Sequence, residues 1–270
     1  MNRQIPLFHY TTFESFLKIF YSGKLKFGDA VNLNDILEKN KQMGASNLKQ
    51  LPLLFALRDT LNSYRQISFT MDFEDNKRGC MSNSMWYHYG DRYNGVCIEF
   101  DFEKISLPES IVHGRVSYRS LLKDDLLIPK NAETINDVES FVSQNIEKIF
   151  FEKTSDWSYE NEYRLICRNE DYLDIENAIS AIYFTNCDSV YVKATETIVG
   201  DMFPTRYINY YTLNGERTPI DDGTKSMRRK IEGVEQRHKG HKTWMQQAEE
   251  YYLENKKDKR KSLIMDRYEE

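Results

Sequence analysis

The chain has 270 residues, 40% of them apolar, 13% aromatic and 29% charged, with a formal net charge of −5. A chain of this length buries a sizeable core, and eighteen Tyr with fifteen Phe exclude a wholly disordered protein, which is poor in aromatics. The longest apolar stretch, Leu51 to Leu57, meets Arg58 and Asp59 at once and falls far short of the roughly 18 residues of a spanning helix. No membrane partner is expected. The first residues show no apolar leader, and Cys80, Cys97, Cys167 and Cys187 stand far apart with no C-x-x-C pair. Reduced, mostly buried thiols and a cytoplasmic location follow as expectations.

In chain order, Leu7 to Tyr10 reads as a first strand. Thr11 and Glu14 have capping-box spacing, and Phe13, Phe16, Leu17 and Phe20 mark one face of a helix. Gly23 suits the left-handed position that ends it. Lys24 to Phe27 alternates like a half-buried strand, and a loop follows through Val31 to Asp35. Residues 47–65 read as a helix and Gln66 to Met71 as a strand. Ser82 to Tyr89 forms a short aromatic helix, Gly95 to Phe100 a strand and Val112 to Tyr118 another. Ile135 to Phe151 has helical spacing. Glu162 to Cys167 and Ile179 to Thr185 are strands, and further strands are expected at Val190 to Val199 and Tyr207 to Leu213. Strands in clusters, without regular alternation with helices, predict an α+β fold. The division is a body at 1–223 and a charged helical extension at 224–270.

The charge is split between these parts. Residues 224–270 hold thirteen basic and nine acidic residues, net +4, which leaves the body at −9. The runs Lys225 to Lys230 and Lys256 to Lys261 are either solvated helix faces or contacts to a phosphate backbone. Nucleic-acid contact through 225–261 is therefore one expectation, although the acidic body argues against it as the main design of the fold.

The densest chemistry lies at Trp157 to Arg164. If residues 160–164 are extended, Glu160, Glu162 and Arg164 share a face. Two carboxylates at that spacing repel unless a cation such as Arg164 compensates. The alternative is a solvated strand edge with an ordinary ion pair. His9, Tyr10 and Thr11 join the first strand to the first helix, as a ligand loop or as a core histidine beside a helix cap. Tyr87 and Tyr89, with Trp86 and His88, either stack on a planar ring or pack the core. No metal is expected, since His88 and Asp91 lack an evident third ligand. Phosphate-loop, nucleophile-elbow and dinucleotide-binding fingerprints are all absent.

The order and spacing of His9-Tyr10-Thr11, Gly23 to Phe27, Asn34-Asp35, Ile67 to Thr70, Met85 to Tyr89, Gly95 to Asp101 and Lys153…Trp157 to Leu165 resemble an uncharacterised bacterial domain family, over about residues 7–200. That family is similar in layout to the ADP-ribosyltransferase superfamily. The resemblance implies a split-sheet core with His9 on the first strand, Ser68 and Thr70 on a middle strand and Glu162 as catalytic carboxylate on a later one. Glu160 takes the place held by a second Glu or Gln in many members that modify proteins. The middle strand offers Phe69 where a Tyr is expected, so Tyr87 or Tyr89 would stack on nicotinamide.

NAD is then the substrate, and Glu162 stabilises the oxocarbenium-like sugar that forms when its nicotinamide–ribose bond breaks. Glu160 activates the acceptor, His9 donates to the other ribose, and Thr11, Tyr10 and Arg164 complete the site. A bacterial toxin or anti-phage defence effector is implied, with a protein, a nucleic acid or water as acceptor. Glu162→Gln is expected to abolish nicotinamide release with little change in melting temperature. The rival readings are a nucleic-acid-binding or nucleic-acid-acting protein led by the basic tail, and a catalytically inactive nucleotide sensor.

Overall fold

The computed structural model describes residues 5–29, 43–74, 77–120, 126–175, 177–185, 190–199, 202, 205–213 and 216–224. In order these form β1 (Pro6–Thr11), α1 (Phe13–Ser22), β2 (Lys24–Lys26), β3 (Gly28–Asp29), β4 (Met43–Gly44), α2 (Leu51–Asn62) and β5 (Arg65–Met71). Next come α3 (Asn83–His88), β6 (Val96–Asp101), β7 (Val112–Arg115), β8 (Ser117–Arg119), β9 (Leu126–Leu127), α4 (Ile135–Gln144) and α5 (Ile146–Phe150). The remainder is β10 (Glu152–Thr154), β11 (Glu162–Cys167), β12 (Tyr172–Asp174), β13 (Ile179–Phe184), α6 (Val190–Val199), β14 (Thr205–Leu213) and β15 (Glu216–Thr224). The chain divides into two units, Met1–Asp222 and Gly223–Glu270. The second lies outside the described residues beyond Thr224, as do the Val31 to Asp35 loop, Cys187, both basic runs and the expected tail helices.

One mixed sheet organises the fold, in the order β15-β14-β13-β6-β1-β5-β11-β7, with β3 beside β5. Its pairs are antiparallel from β13 to β7, and β13 and β14 run parallel. The fold is α+β. Alternation along the strands builds a core on each face. Leu7, Ile67, Phe69, Ile98, Phe100 and Leu165 pack on one side with Phe16 and Ile19 of α1. Phe8, Tyr10, Cys97 and Tyr183 pack on the other against Trp86 of α3. Further along that second face, Ile166 joins Leu57 of α2 and Val138 and Val142 of α4. Burying a side chain such as Phe8 or Leu165 is worth roughly 1.5–3 kcal/mol.

Four expectations change. Thr12, not Thr11, caps α1, its side chain accepting from the Ser15 N–H, while Thr11 completes β1 and Glu14 pairs with Lys18. The helix expected over 135–151 breaks at Asn145, whose side chain turns back to the Phe141 carbonyl. The strand expected at 112–118 changes partner at Val116: β7 pairs with β11, the Val116 N–H still reaches the Glu162 carbonyl, and β8 turns to β10. Val190 to Val199 is a helix, with Thr195 and Val199 buried four residues apart; its Val, Tyr and Thr content suggests a strand, and tertiary packing overrides it. Gly23 does end α1 at φ 63°.

The feature that makes a site is the way β1 leaves β5. Along β6, β1 pairs over its whole length from Pro6 to Thr11. Against β5 its register runs only through Leu7↔Met71 and Phe8↔Thr70. Beyond Phe8 the two strands diverge, and the sheet opens between His9–Thr11 and the first half of β5.

Candidate functional site

A cleft of about 420 Å³ fills that opening. His9 and Tyr10 of β1 and Ser68 and Thr70 of β5 form its lips, with Lys26 and Gly28 from β2 and β3. Tyr89, Lys153, Glu160 and Glu162 close it. The volume falls in the range of small-molecule sites.

The carboxylate pair converges here by a route the sequence does not announce. Residues 155–160 form a turn of 3-10 helix, Asn161 adopts a left-handed conformation at φ 42°, and β11 begins at Glu162. Asn161 holds that bend by donating to the Met71 and Asp72 carbonyls. Glu160 and Glu162 are thus brought together by a kink rather than by strand alternation, which applies only to Glu162 and Arg164. The solvated strand edge is excluded, because Glu160, Glu162 and Arg164 are all buried.

Lys153 of β10 lies between the two carboxylates, 2.6 Å from Glu160 Oε2 and 3.0 Å from Glu162 Oε2. Arg164 grips Glu162 bidentately through Nε at 2.7 Å and Nη2 at 2.8 Å, and its Nη1 donates to the Phe150 carbonyl. The Glu162 N–H in turn donates to the Tyr118 hydroxyl. Burial alone pushes the Glu162 carboxyl up, but Arg164, Lys153 and a Ser68 hydrogen bond outweigh it and bring its pKa down to about 2. Glu160 goes the other way. Burial raises it, Lys153 opposes, and the Glu162 charge raises it further. The Tyr89 hydroxyl donates to Glu160 Oε1 at 2.5 Å. Two neighbouring carboxyls held at opposite shifts are the pattern of one permanent anion beside one proton carrier.

His9 sits half-buried on the opposite lip, its Nδ1 3.2 Å from the Ser68 carbonyl and its ring edge-on to Phe69. Burial lowers its pKa, with the Ser68 bond opposing. In the neutral ring, Nδ1 then carries the proton and Nε2 is an acceptor. His9 Nε2 is thus left as the acceptor side of the ring. Thr70 stands directly opposite Glu162 in the ladder and is 1% exposed. Its Oγ1 has no partner among the described residues, and neither does Gln66 Oε1, four residues earlier on β5 and also on the cleft wall.

Other expected residues serve differently. The Tyr10 hydroxyl donates to the Gly79 carbonyl and its ring packs on Trp86, so the side chain belongs to the core. Thr11 and Tyr87 are not brought to the cleft wall: Thr11 is buried at the end of β1, and Tyr87 is half-exposed against His88 and Tyr93. Of the two candidate stacking rings, only Tyr89 reaches the cleft. Lys153, Gln66 and Lys26 were not singled out as site residues. Among the described residues no His, Cys, Asp and Glu cluster suits a metal, and no helix is long and apolar enough to cross a membrane. Cys80, Cys97 and Cys167 are buried thiols outside any disulfide among the described residues.

No curated protein matches the sequence. Residues 85–165, from α3 through Lys153 and the carboxylate pair, match a family described as a protein of unknown function (DUF2971), in agreement with the resemblance to an uncharacterised domain family.

Proposed function

We propose that the protein cleaves the nicotinamide–ribose bond of NAD and transfers ADP-ribose to a macromolecule. The observation that carries this reading is the carboxylate pair at the sheet opening, with Glu162 locked as an anion and Glu160 raised beside it. The cleft wall suits a hydroxyl-rich ligand: the unpartnered Gln66 Oε1 accepts from a ribose hydroxyl, and Thr70 Oγ1 either donates or accepts.

The roles follow from position. Glu162 places a fixed negative charge beside the sugar carbon as positive charge develops there. The carbon–nitrogen bond breaks with its electron pair going to the pyridinium nitrogen, so nicotinamide leaves neutral. The acceptor forms the new bond to the same carbon, and its proton passes to Glu160, whose raised pKa suits a general base. Lys153 holds both carboxylates in register. His9 Nε2 accepts from a second ribose hydroxyl, and Tyr89 supplies the aromatic face.

A nucleotide-binding module without turnover is the second reading. It is favoured by one feature, namely that Arg164 and Lys153 already occupy both Glu162 oxygens.

The test is to incubate the protein with NAD, with and without cell lysate, and quantify nicotinamide. Glu162→Gln is a poor control, because removing the charge strands Arg164 in the interior at a cost of about 3–5 kcal/mol, although Lys153 keeps Glu160. A lowered melting temperature is expected of that variant. Glu162→Asp keeps the charge and shortens its reach. Release that needs lysate and falls at least tenfold in Glu162→Asp supports a transferase, and release without lysate a glycohydrolase or self-modification. Tight NAD binding by calorimetry with no release supports the sensor, and neither binding nor release removes both readings.

A further inference from the structure

We infer that a polar groove on the far side of the β8–β10 pair binds the phosphate backbone of a single-stranded nucleic acid, and that this polymer is the acceptor class for the proposed reaction. The acceptor role rests on the reading above; the binding does not.

The groove has a volume of about 900 Å³. Its floor is the extended run β7–β8, in which His113, Arg115, Ser117 and Arg119 fall at every second position, all exposed and all lining the groove. Alternate residues of an extended chain lie roughly 6.7 Å apart on one face, so Arg115 and Arg119 stand along it with Ser117 between them, while the His113 ring is held at one end by the Tyr163 hydroxyl. Lys148 of α5 faces them.

Two acids oppose this charge. Glu152 holds Arg119 at 2.7 Å, and Glu147 lines the rim. Arg115 has no carboxylate partner among the described residues. It is the guanidinium most available to grip a phosphate oxygen pair, a geometry that its planar fork fits.

An acidic peptide is the rival occupant. A peptide adding to the β7 edge would be read through pockets for its alternate side chains, and the groove offers instead Ser143, Gln144 and Asn145 with its cations. The register of the wall ties the groove to the cleft. Tyr118 and Lys153 are paired in the ladder and both turn toward Glu162. Their neighbours Ser117, Arg119 and Glu152 turn the other way, into the groove. One pair of strands separates the two, so a polymer held in the groove runs beside the site of transfer.

The experiment uses the full chain, without NAD. Anisotropy of labelled oligothymidylate and oligouridylate is measured against salt for wild type and for Arg115→Glu with Lys148→Glu, with circular dichroism as the folding control. Unlabelled duplex and polyglutamate serve as competitors. The expected result is salt-sensitive binding, weakened at least tenfold in the double variant, with a log–log salt slope smaller by about one for each cation removed. Undiminished binding by the folded double variant assigns the affinity to the basic tail and overturns the proposal. So does the absence of binding, or displacement by polyglutamate as effective as by single strands. Nicotinamide release is scored separately, so failure here leaves the cleft chemistry standing.

Discussion

Lys153 decides the behaviour of the site at the scale of single residues. With it in place, two carboxylates coexist in a buried space; without it, their repulsion is uncompensated on the Glu160 side. Lys153→Met is expected to lose about 3–5 kcal/mol at pH 7. The loss should be smaller at pH 5 than at pH 7, because the raised Glu160 carboxyl is the one of the pair that protonates first as pH falls. Thermal unfolding at both pH values checks this, and an equal loss at both would contradict it. Glu162 sets the acid limit. Its pKa falls from 4.5 unfolded to about 2 folded, so its stabilisation is complete above the unfolded value and is lost as pH falls toward 2. The shift is worth about 3 kcal/mol, measurable as a drop in unfolding free energy between pH 5 and pH 2 that Glu162→Gln lacks. Glu162 and Arg164 were legible in the sequence because neighbours two apart on one strand share a face. Lys153 was not, because its role depends on β10 pairing with β8, and no local pattern specifies that.

Two glycines and a strained turn hold the cleft at the scale of elements. Gly23 ends α1 so that β2 can return along the cleft. Gly95 precedes β6 with no room to spare: a Cβ there would press on the Thr11 carbonyl oxygen and lie 2.8 Å from the Gly90 carbonyl carbon. Gly95→Ala is expected to cost about 1–3 kcal/mol and to raise the KM for NAD by displacing the His9 end of β1. A melting temperature and KM both unchanged would contradict this. Between these glycines, Asp91, Arg92 and Tyr93 take positive φ of 47°, 51° and 73°, a conformation costing non-glycine residues roughly 1–2 kcal/mol each. Arg92→Gly should therefore stabilise the fold, by less than that amount. Most strands were legible from period-two alternation, whereas α6 was not, because its β-branched composition and its helical burial disagree. The opening between β1 and β5 was invisible too, since strand divergence is a property of pairing.

At the scale of the whole molecule, the sheet is a scaffold that opens between β1 and β5, and the proposed chemistry lies in that opening. Ligand binding there should join the two lips. Amide exchange at residues 9–11 and 66–69 is expected to slow on adding NAD, with the β6 and β13 amides little changed. Protection confined to other elements would place the nucleotide elsewhere. By sequence the body carries net negative charge and the tail net positive charge, so macromolecular contacts should weaken with salt while the proposed NAD cleavage does not.

The most direct test is the pH dependence of nicotinamide release from wild type and from Glu160→Gln. The expected wild-type profile falls on the acid side with an apparent pKa above the ordinary carboxyl range, set by Glu160. In Glu160→Gln that limb should disappear along with most of the rate, while Glu162 contributes no titration above pH 3. An acid limb that persists unchanged in Glu160→Gln, or a wild-type protein that binds NAD and releases no nicotinamide at any pH, would contradict the assignment of the carboxylate pair as the catalytic centre.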